Sequence, residues 1–339
     1  MNDRMTTASR PAGSVLALCG GVGGAKLALG LYRTLASGKL TIAVNTGDDF
    51  THLGFRISPD IDTTVYTLAG IADPARGWGR NHETWNFMAA IEELGGETWF
   101  RLGDRDLAMH VERTASLKAG KTLTEFVAHA ARKFGIDAQI LPMTDNNLRT
   151  IVVTDEGELP FQRYFVERRC EPVVRALRFG GATQARPAQE LLEALSDASL
   201  RAVVICPSNP YLSIDPLLAM PELRRAISRT NAPVIAVSPI IGGQAVKGPT
   251  AKIMTELGIP VTIQSIAAHY RGLIDGLVID TSDAQEEANL DIPVLSTKIL
   301  MQDQPDRERL AEEVMAFAGE CKLRNVDSRL RRRAGGKPA

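Results

Sequence analysis

Cysteine is scarce in this chain. Its four residues, Cys19, Cys170, Cys206 and Cys321, stand far apart with no Cys-x-x-Cys pair. That spacing argues against a disulfide framework and against a zinc site, and it fits the reduced thiols of a cytoplasmic protein. An excess of either charge is also lacking. With a formal net charge of −1, nothing marks the chain for a nucleic acid or for an anionic membrane. Only the last residues are basic, Arg329 to Arg333 with Lys337 beyond, and such a run reads as a solvated tail. No apolar stretch is long enough to span a bilayer. The first dozen residues contain no hydrophobic signal core, so a ragged N-terminus is expected. The histidines, His52, His82, His110, His129 and His269, show no metal-ligand spacing.

What is present concentrates in Ser14 to Lys26. This stretch reads as a short buried strand, a tight turn containing Gly20, Gly21, Gly23 and Gly24, and the start of an amphipathic helix. Glycines let the backbone approach a ligand, and the free N–H groups of a helix start favour a phosphate. Neither common phosphate motif fits. A Walker loop needs Gly-Lys-Ser/Thr, whereas Lys26 lies between Ala25 and Leu27; a dinucleotide fingerprint starting at Gly21 needs glycine where Lys26 stands. The turn therefore suits a phosphate binder of another type, with an ordinary strand-to-helix turn as the alternative.

Two α/β regions flank a helical middle. Buried strands are expected at Ser14–Cys19 and Leu40–Asn45, joined by a helix over Gly24–Ala36. From Asp60 to Gly135 helical patterns dominate, at Asp62–Ala69, Glu83–Leu94, Asp106–Leu117 and Leu123–Phe134. Arg149–Thr154 and Phe161–Glu167 read as a hairpin about the turn Asp155-Glu156-Gly157-Glu158. Short apolar runs at Ala202–Cys206, Val234–Val237, Val261–Ile263 and Leu277–Ile279 then alternate with helices near Asp215–Ser228, Thr250–Leu257 and Ile266–Ile274. Such alternation implies an α/β fold with a parallel sheet covered on both faces. The loops Gly20–Gly24, Thr46–Asp49, Pro207–Pro210 and Pro239–Gly243 would share its carboxyl edge, where ligands bind. The expected organisation is a disordered N-terminus to residue 13, one α/β domain over 14–325 with a helical insertion at about 60–135, and a basic disordered tail over 326–339.

Several segments could carry chemistry. In Asn45-Thr-Gly-Asp48-Asp49, adjacent carboxylates beside a phosphate site suit a magnesium ion, which takes oxygen ligands and phosphates; a solvated turn is the plainer reading. Asp60 or Asp62 could cap the helix they precede. Arg101 could fork onto a phosphate or hydroxyl, or pair with Asp104 at the surface. In Pro142-Met143-Thr144-Asp145 an apolar Met sits among polar neighbours. Ser208 and Asn209 suit binding through hydroxyl and amide, because no nucleophile elbow surrounds the Ser. Lys247, after the glycines at 242 and 243, is a further phosphate candidate.

Taken in order, Gly20–Lys26, Asn45–Asp49, Ser58–Thr63, Leu102–Asp106, Leu141–Asp145, Pro207–Asp215 and Val237–Thr250 resemble the 2-phospho-L-lactate transferases of coenzyme F420 biosynthesis. The resemblance covers roughly residues 14 to 300. It implies a Rossmann-like three-layer fold with a helical insertion, and a homodimeric, magnesium-dependent enzyme. The implied reaction joins a phospho-three-carbon acid, carried as a guanosine diphosphate conjugate, to the deazaflavin precursor Fo, with GMP released. It also implies that Asp62 and Arg101 contact Fo and that Met143, Thr144 and Asp145 flank its ring. Gly21, Gly23, Gly24, Lys26, Asn45, Ser208 and Asn209 would hold the nucleotide diphosphate, and Asp48 and Asp49 the metal. Val22 departs from relatives that carry Thr in the glycine loop. A non-catalytic nucleotide-sugar-binding regulator of the same fold is the alternative, and a nicotinamide oxidoreductase is disfavoured by the broken fingerprint.

Overall fold

The computed structural model describes residues 13–245 and 248–334. β1 (Val15–Cys19) leads through the glycine turn into α1 (Gly21–Thr34) and back to β2 (Leu40–Val44). A hairpin of β3 (Phe50–His52) and β4 (Phe55–Ile57) precedes the helices α2 (Pro59–Leu68), α3 (Asn86–Glu93), α4 (Asp104–Lys118) and α5 (Leu123–Lys133). β5 (Gln139–Pro142) follows, and then an antiparallel sheet of β6 (Arg149–Thr154), β7 (Gly157–Pro160) and β8 (Val174–Gly180). Next come α6 (Gln189–Ser196), β9 (Ala202–Ile205), α7 (Asp215–Leu218), α8 (Pro221–Arg229) and β10 (Val234–Val237). A ribbon of β11 (Ile240–Ile241) and β12 (Gln244–Ala245) leads to α9 (Thr250–Glu256) and α10 (Ile263–His269). β13 (Gly276–Asp280), β14 (Val294–Thr297) and α11 (Gln304–Ala334) close the order.

Seven strands form one sheet in the order β14-β13-β10-β9-β1-β2-β5, and every pairing in it is parallel. Side chains alternate between faces along a strand, so a strand covered on both sides must be apolar throughout. β1 meets that demand. Val15, Ala17 and Cys19 enter one core beneath α1, α2, α5 and α11, while Leu16 and Leu18 enter the other beneath α7, α8, α9 and α10. β9 divides in the same way, with Val204 in the first core and Val203 and Ile205 in the second. The three-layer α/β architecture expected from the sequence is thus the one found. Ile57, Met88 and Leu102 make a small separate core beneath α3 and the β3–β4 hairpin.

Local chemistry moved some elements from their expected places. Thr154 pairs with Gly157, so the hairpin turns over Asp155-Glu156 alone and its second strand is β7. Phe161–Glu167 is not a strand: Arg163–Glu167 forms a π-helical turn. Nor is Val261–Ile263 a strand, because Thr262 accepts the Ser265 N–H at 3.2 Å and starts α10 there. The helix expected over Asp215–Ser228 is two, α7 and α8, with Pro221 opening the second. β3, β4, β5, β8, β11, β12, β14, α6 and α11 are additions. Of the N-terminal stretch expected to be disordered, residues 1–12 lie outside the described residues, as do Lys247 and 335–339. Residues 326–334 continue α11.

Candidate active site at the carboxyl edge

From β1 the chain builds the sheet outward to β2 and β5 on one side and, later, to β9, β10 and β13 on the other. In an open parallel sheet such a switch point makes the ligand crevice. Here the two diverging loops are tied together. Ser208 Oγ accepts from the Gly20 N–H at 3.1 Å and donates to the Gly20 carbonyl at 2.8 Å. A Cβ on Gly23 would stand 2.5 Å from the Pro207 carbonyl oxygen, and one on Gly24 2.4 Å from Ser208 Oγ. These two glycines therefore serve the close approach of α1 to the β9 loop. Gly21 alone takes a left-handed conformation, φ +64°, with nothing within 4 Å of where a Cβ would stand. Its N–H donates to Asp60 Oδ1 at 2.8 Å. The turn expected to receive a phosphate thus already holds a carboxylate.

Asp60 links the glycine turn to the β2 loop, since Asn45 Nδ2 donates to its other oxygen at 2.9 Å. Asn45 Oδ1 accepts from the Gly47 N–H at 2.8 Å, which shapes the turn that presents Asp48 and Asp49. Both aspartates are buried, and each keeps one carboxylate oxygen without a hydrogen-bond partner. The second oxygen of Asp49 accepts from Ser58 Oγ at 2.7 Å. Burial, and then the negative charge of Asp60, pushes the Asp48 carboxyl well above the ordinary aspartate range. Burial likewise raises Asp49, to about 7, against the pull of the Ser58 hydroxyl and of Arg149, Arg113 and Arg56. Two partnerless carboxylate oxygens on adjacent residues are the donors a magnesium ion takes from a protein while it keeps water or phosphate on its other positions. The residues fit that ion.

Asp62 commits one oxygen to an ion pair and keeps Oδ2 without a hydrogen-bond partner. It is 5% exposed and paired with the buried guanidinium of Arg113. His110 lies between two acids, with Nδ1 3.7 Å from Asp62 Oδ2 and Nε2 3.3 Å from Asp106 Oδ2. Tyr66 donates to Asp106 at 2.6 Å. Burial raises Asp62 despite Arg113 and His110; Asp106 stays below its ordinary range because His110, Tyr66 and Arg113 outweigh its own burial. Among the described residues, Asp62, Asp106 and His110 are the one trio whose ligand atoms converge within 4.8 Å. Arg113 supplies positive charge beside them, while Asp62 Oδ2 and His110 Nε2 keep no hydrogen-bond partner. Arg113 carried no sequence signal on its own, but Asp106, His110 and Arg113 stand at i, i+4 and i+7 on α4 and could have been read as one face.

The remaining candidates are scattered. Lys26 Nζ donates to the Met301 carbonyl at 2.7 Å, a contact to the segment before α11. Asn209 uses its side-chain oxygen on the N–H groups of Tyr211 and Leu212, leaving a buried Nδ2 without a partner. Arg101 is exposed and lies over the Trp85 ring at 4.5 Å; Asp104 instead accepts from Thr84, Asn86 and Phe87 at the start of α3. Met143 is wholly buried in the second core, so it offers no face to a ring. Thr144 donates to the Arg186 carbonyl at 2.5 Å, and Asp145 accepts from the Thr124 N–H at 2.8 Å and its hydroxyl at 3.0 Å. Thr144 and Asp145 do share with Asp49 the wall of a cavity of about 250 Å³ beside the β2 and β5 loops. Its cationic wall, Arg56, Lys121 and Arg149, has no signature in the sequence because the three are distant in the chain.

Both the shape and the sequence have counterparts among known proteins. A solved structure from Bacillus halodurans, a member of the UPF0052 family, matches with a TM-score of 0.61 at 13% identity, over 90% of this chain and 99% of that one. The shared property is the fold. A phosphoenolpyruvate transferase of Kitasatospora aureofaciens is 36% identical over 314 residues, 90% of this chain and 97% of the relative. One from Mycolicibacterium smegmatis is 36% identical over 327 residues, 90% and 98% of the two chains. Residues 15–316 match the family described as 2-phospho-L-lactate transferase CofD, and the chain belongs to that family.

Proposed function

We propose that this chain transfers a phosphoenolpyruvyl group from a guanosine diphosphate conjugate to the deazaflavin precursor Fo in coenzyme F420 biosynthesis, releasing GMP. Phospholactyl is the second donor to consider. The observation that carries the reading is the adjacent buried pair Asp48 and Asp49, each with a partnerless oxygen, at the carboxyl edge of the sheet. Family membership and relatives named phosphoenolpyruvate transferases support the same choice.

In this reaction a terminal hydroxyl of Fo attacks the phosphorus bearing the three-carbon acid. One phosphorus–oxygen bond forms as the hydroxyl loses its proton to solvent, while the phosphoanhydride bond breaks and GMP leaves with its electron pair. Alignment and charge stabilisation supply most of the acceleration in such transfers. Magnesium, held by Asp48 and Asp49, would neutralise the diphosphate when bound. The chain's own part is to fix those carboxylates: Asn45 shapes their turn, Ser58 holds one oxygen of Asp49, and Asp60 locks the glycine turn beside them. Arg101, exposed on Trp85, serves the acceptor side together with Asp62, which anchors Arg113 through one oxygen and keeps the other without a hydrogen-bond partner.

Incubation with the phosphoenolpyruvyl conjugate, Fo and magnesium should yield GMP and a phosphodiester product of matching mass. Asp48→Asn and Asp49→Asn should each lower turnover by orders of magnitude with the fold retained. Absence of GMP from the wild-type chain, or full activity in both variants, rules the reading out.

A further inference from the structure

The cavity beside Asp49 is lined by both signs of charge. Asp49 and Asp145 supply the carboxylates, and Arg56, Arg149 and Lys121 the cations. Among the described residues none of these three cations is within ion-pair distance of a carboxylate. Arg149 spends one N–H on the Leu148 carbonyl at 2.8 Å and is otherwise turned to the cavity that it lines. It is partly buried, with the Asp49 carboxylate near enough to attract it and Arg56 near enough to repel it. Three cations against the carboxylates of Asp49 and Asp145 leave the lining net positive, a charge that a bound anion would balance. The planar fork of arginine matches a carboxylate through two parallel hydrogen bonds.

Size admits such an occupant. About 250 Å³ lies just under the roughly 300–1,000 Å³ of sites for drug-sized ligands, which leaves room for a small anion. We propose that Arg56, Arg149 and Lys121 form the seat for the carboxylate of the transferred three-carbon acid. The assignment rests on the transferase reading, in which Asp48 and Asp49 serve the phosphate end through a cation and leave the three basic residues to the other negative group. The three residues would then fix the skeleton at its carboxylate, which leaves Leu117 and Leu123 of the same lining to distinguish the substituent at carbon two.

Calorimetric titration of phosphoenolpyruvate, ethyl phosphate and GDP against the wild-type chain, Arg56→Gln and Arg149→Gln tests the seat. Phosphoenolpyruvate affinity should fall roughly tenfold to a hundredfold in each variant, with GDP within about twofold. Retained GDP binding shows that the variants are folded. Unchanged phosphoenolpyruvate affinity, an equal loss for ethyl phosphate, or no phosphoenolpyruvate binding to the wild-type chain overturns the assignment. GMP release separates the two ideas. Arginine-dependent phosphoenolpyruvate binding without GMP release upholds the seat and removes the transfer reaction. GMP release with an unchanged KM for the conjugate in both variants upholds the reaction and removes the seat.

Discussion

Asp49 concentrates the conflict between burial and charge in this molecule. Its carboxyl sits at about 7 in the folded chain against an ordinary 3.8. The folded state therefore holds a proton that the unfolded state releases across that interval, and stability contributed by this group falls as pH rises from about 3.8 to about 7. Below the window both states are protonated and nothing is lost; above it the full cost of an ionised buried acid applies. Asparagine imitates the protonated form. Asp49→Asn should match the wild type near pH 4 and exceed it increasingly up to about pH 7, by about 1.4 kcal/mol for each pH unit inside the window. Urea unfolding at several pH values measures the gap, and a gap constant with pH contradicts the assigned environment. The pair Asp48-Asp49 was legible because two acids next to each other beside a glycine turn are unusual. Arg113, Arg56 and Arg149 were not, since a charge spaced along a helix or strand looks the same whether it meets solvent or a buried acid. Met143 misled for a related reason: its neighbours in sequence are polar, but the β5 edge turns its side chain into the core.

Elements were readable where one physical demand fixed them. β1 had to be continuously apolar because both its faces are covered, and the strand runs where that pattern does. β5 escaped notice because Gln139–Pro142 is only four residues long and ends in Pro, which an edge strand tolerates. α11 depends on a packing partner that no local pattern names. It lies along α1, and Gly30 is the reason it can: a Cβ there would stand 2.1 Å from the Arg307 carbonyl oxygen and 3.2 Å from the Ala311 methyl. Gly30→Ala sets two effects against each other. Helix propensity favours Ala by about 1 kcal/mol, whereas forcing a methyl into a backbone contact costs about 1–3 kcal/mol. The obstacle is main chain and cannot rotate away, so the clash should win and the thermal midpoint should fall. A midpoint that rises would mean that α11 stands off α1.

On the scale of the whole molecule, the sheet divides two cores and brings its carboxyl-edge loops together at one place. The pattern of strands alternating with helices was enough to foresee that arrangement. The tie between Gly20 and Ser208 was not, because it joins segments that no sequence window contains. That tie reflects the strand order: β1 has β2 on one side and β9 on the other, with Val15 opposite both Leu40 and Ala202. During synthesis β2 arrives almost at once, but β9 must wait until more than half of the chain has left the ribosome. Through that interval the strand bearing the glycine turn shows a bare, wholly apolar edge, the kind that recruits another chain. A chain ending at residue 200 should therefore self-associate, seen as concentration-dependent sedimentation, whereas a monomeric and protease-resistant fragment would mean that another segment shields β1. Seen this way, the newborn protein is most vulnerable at the strand it will later depend on most.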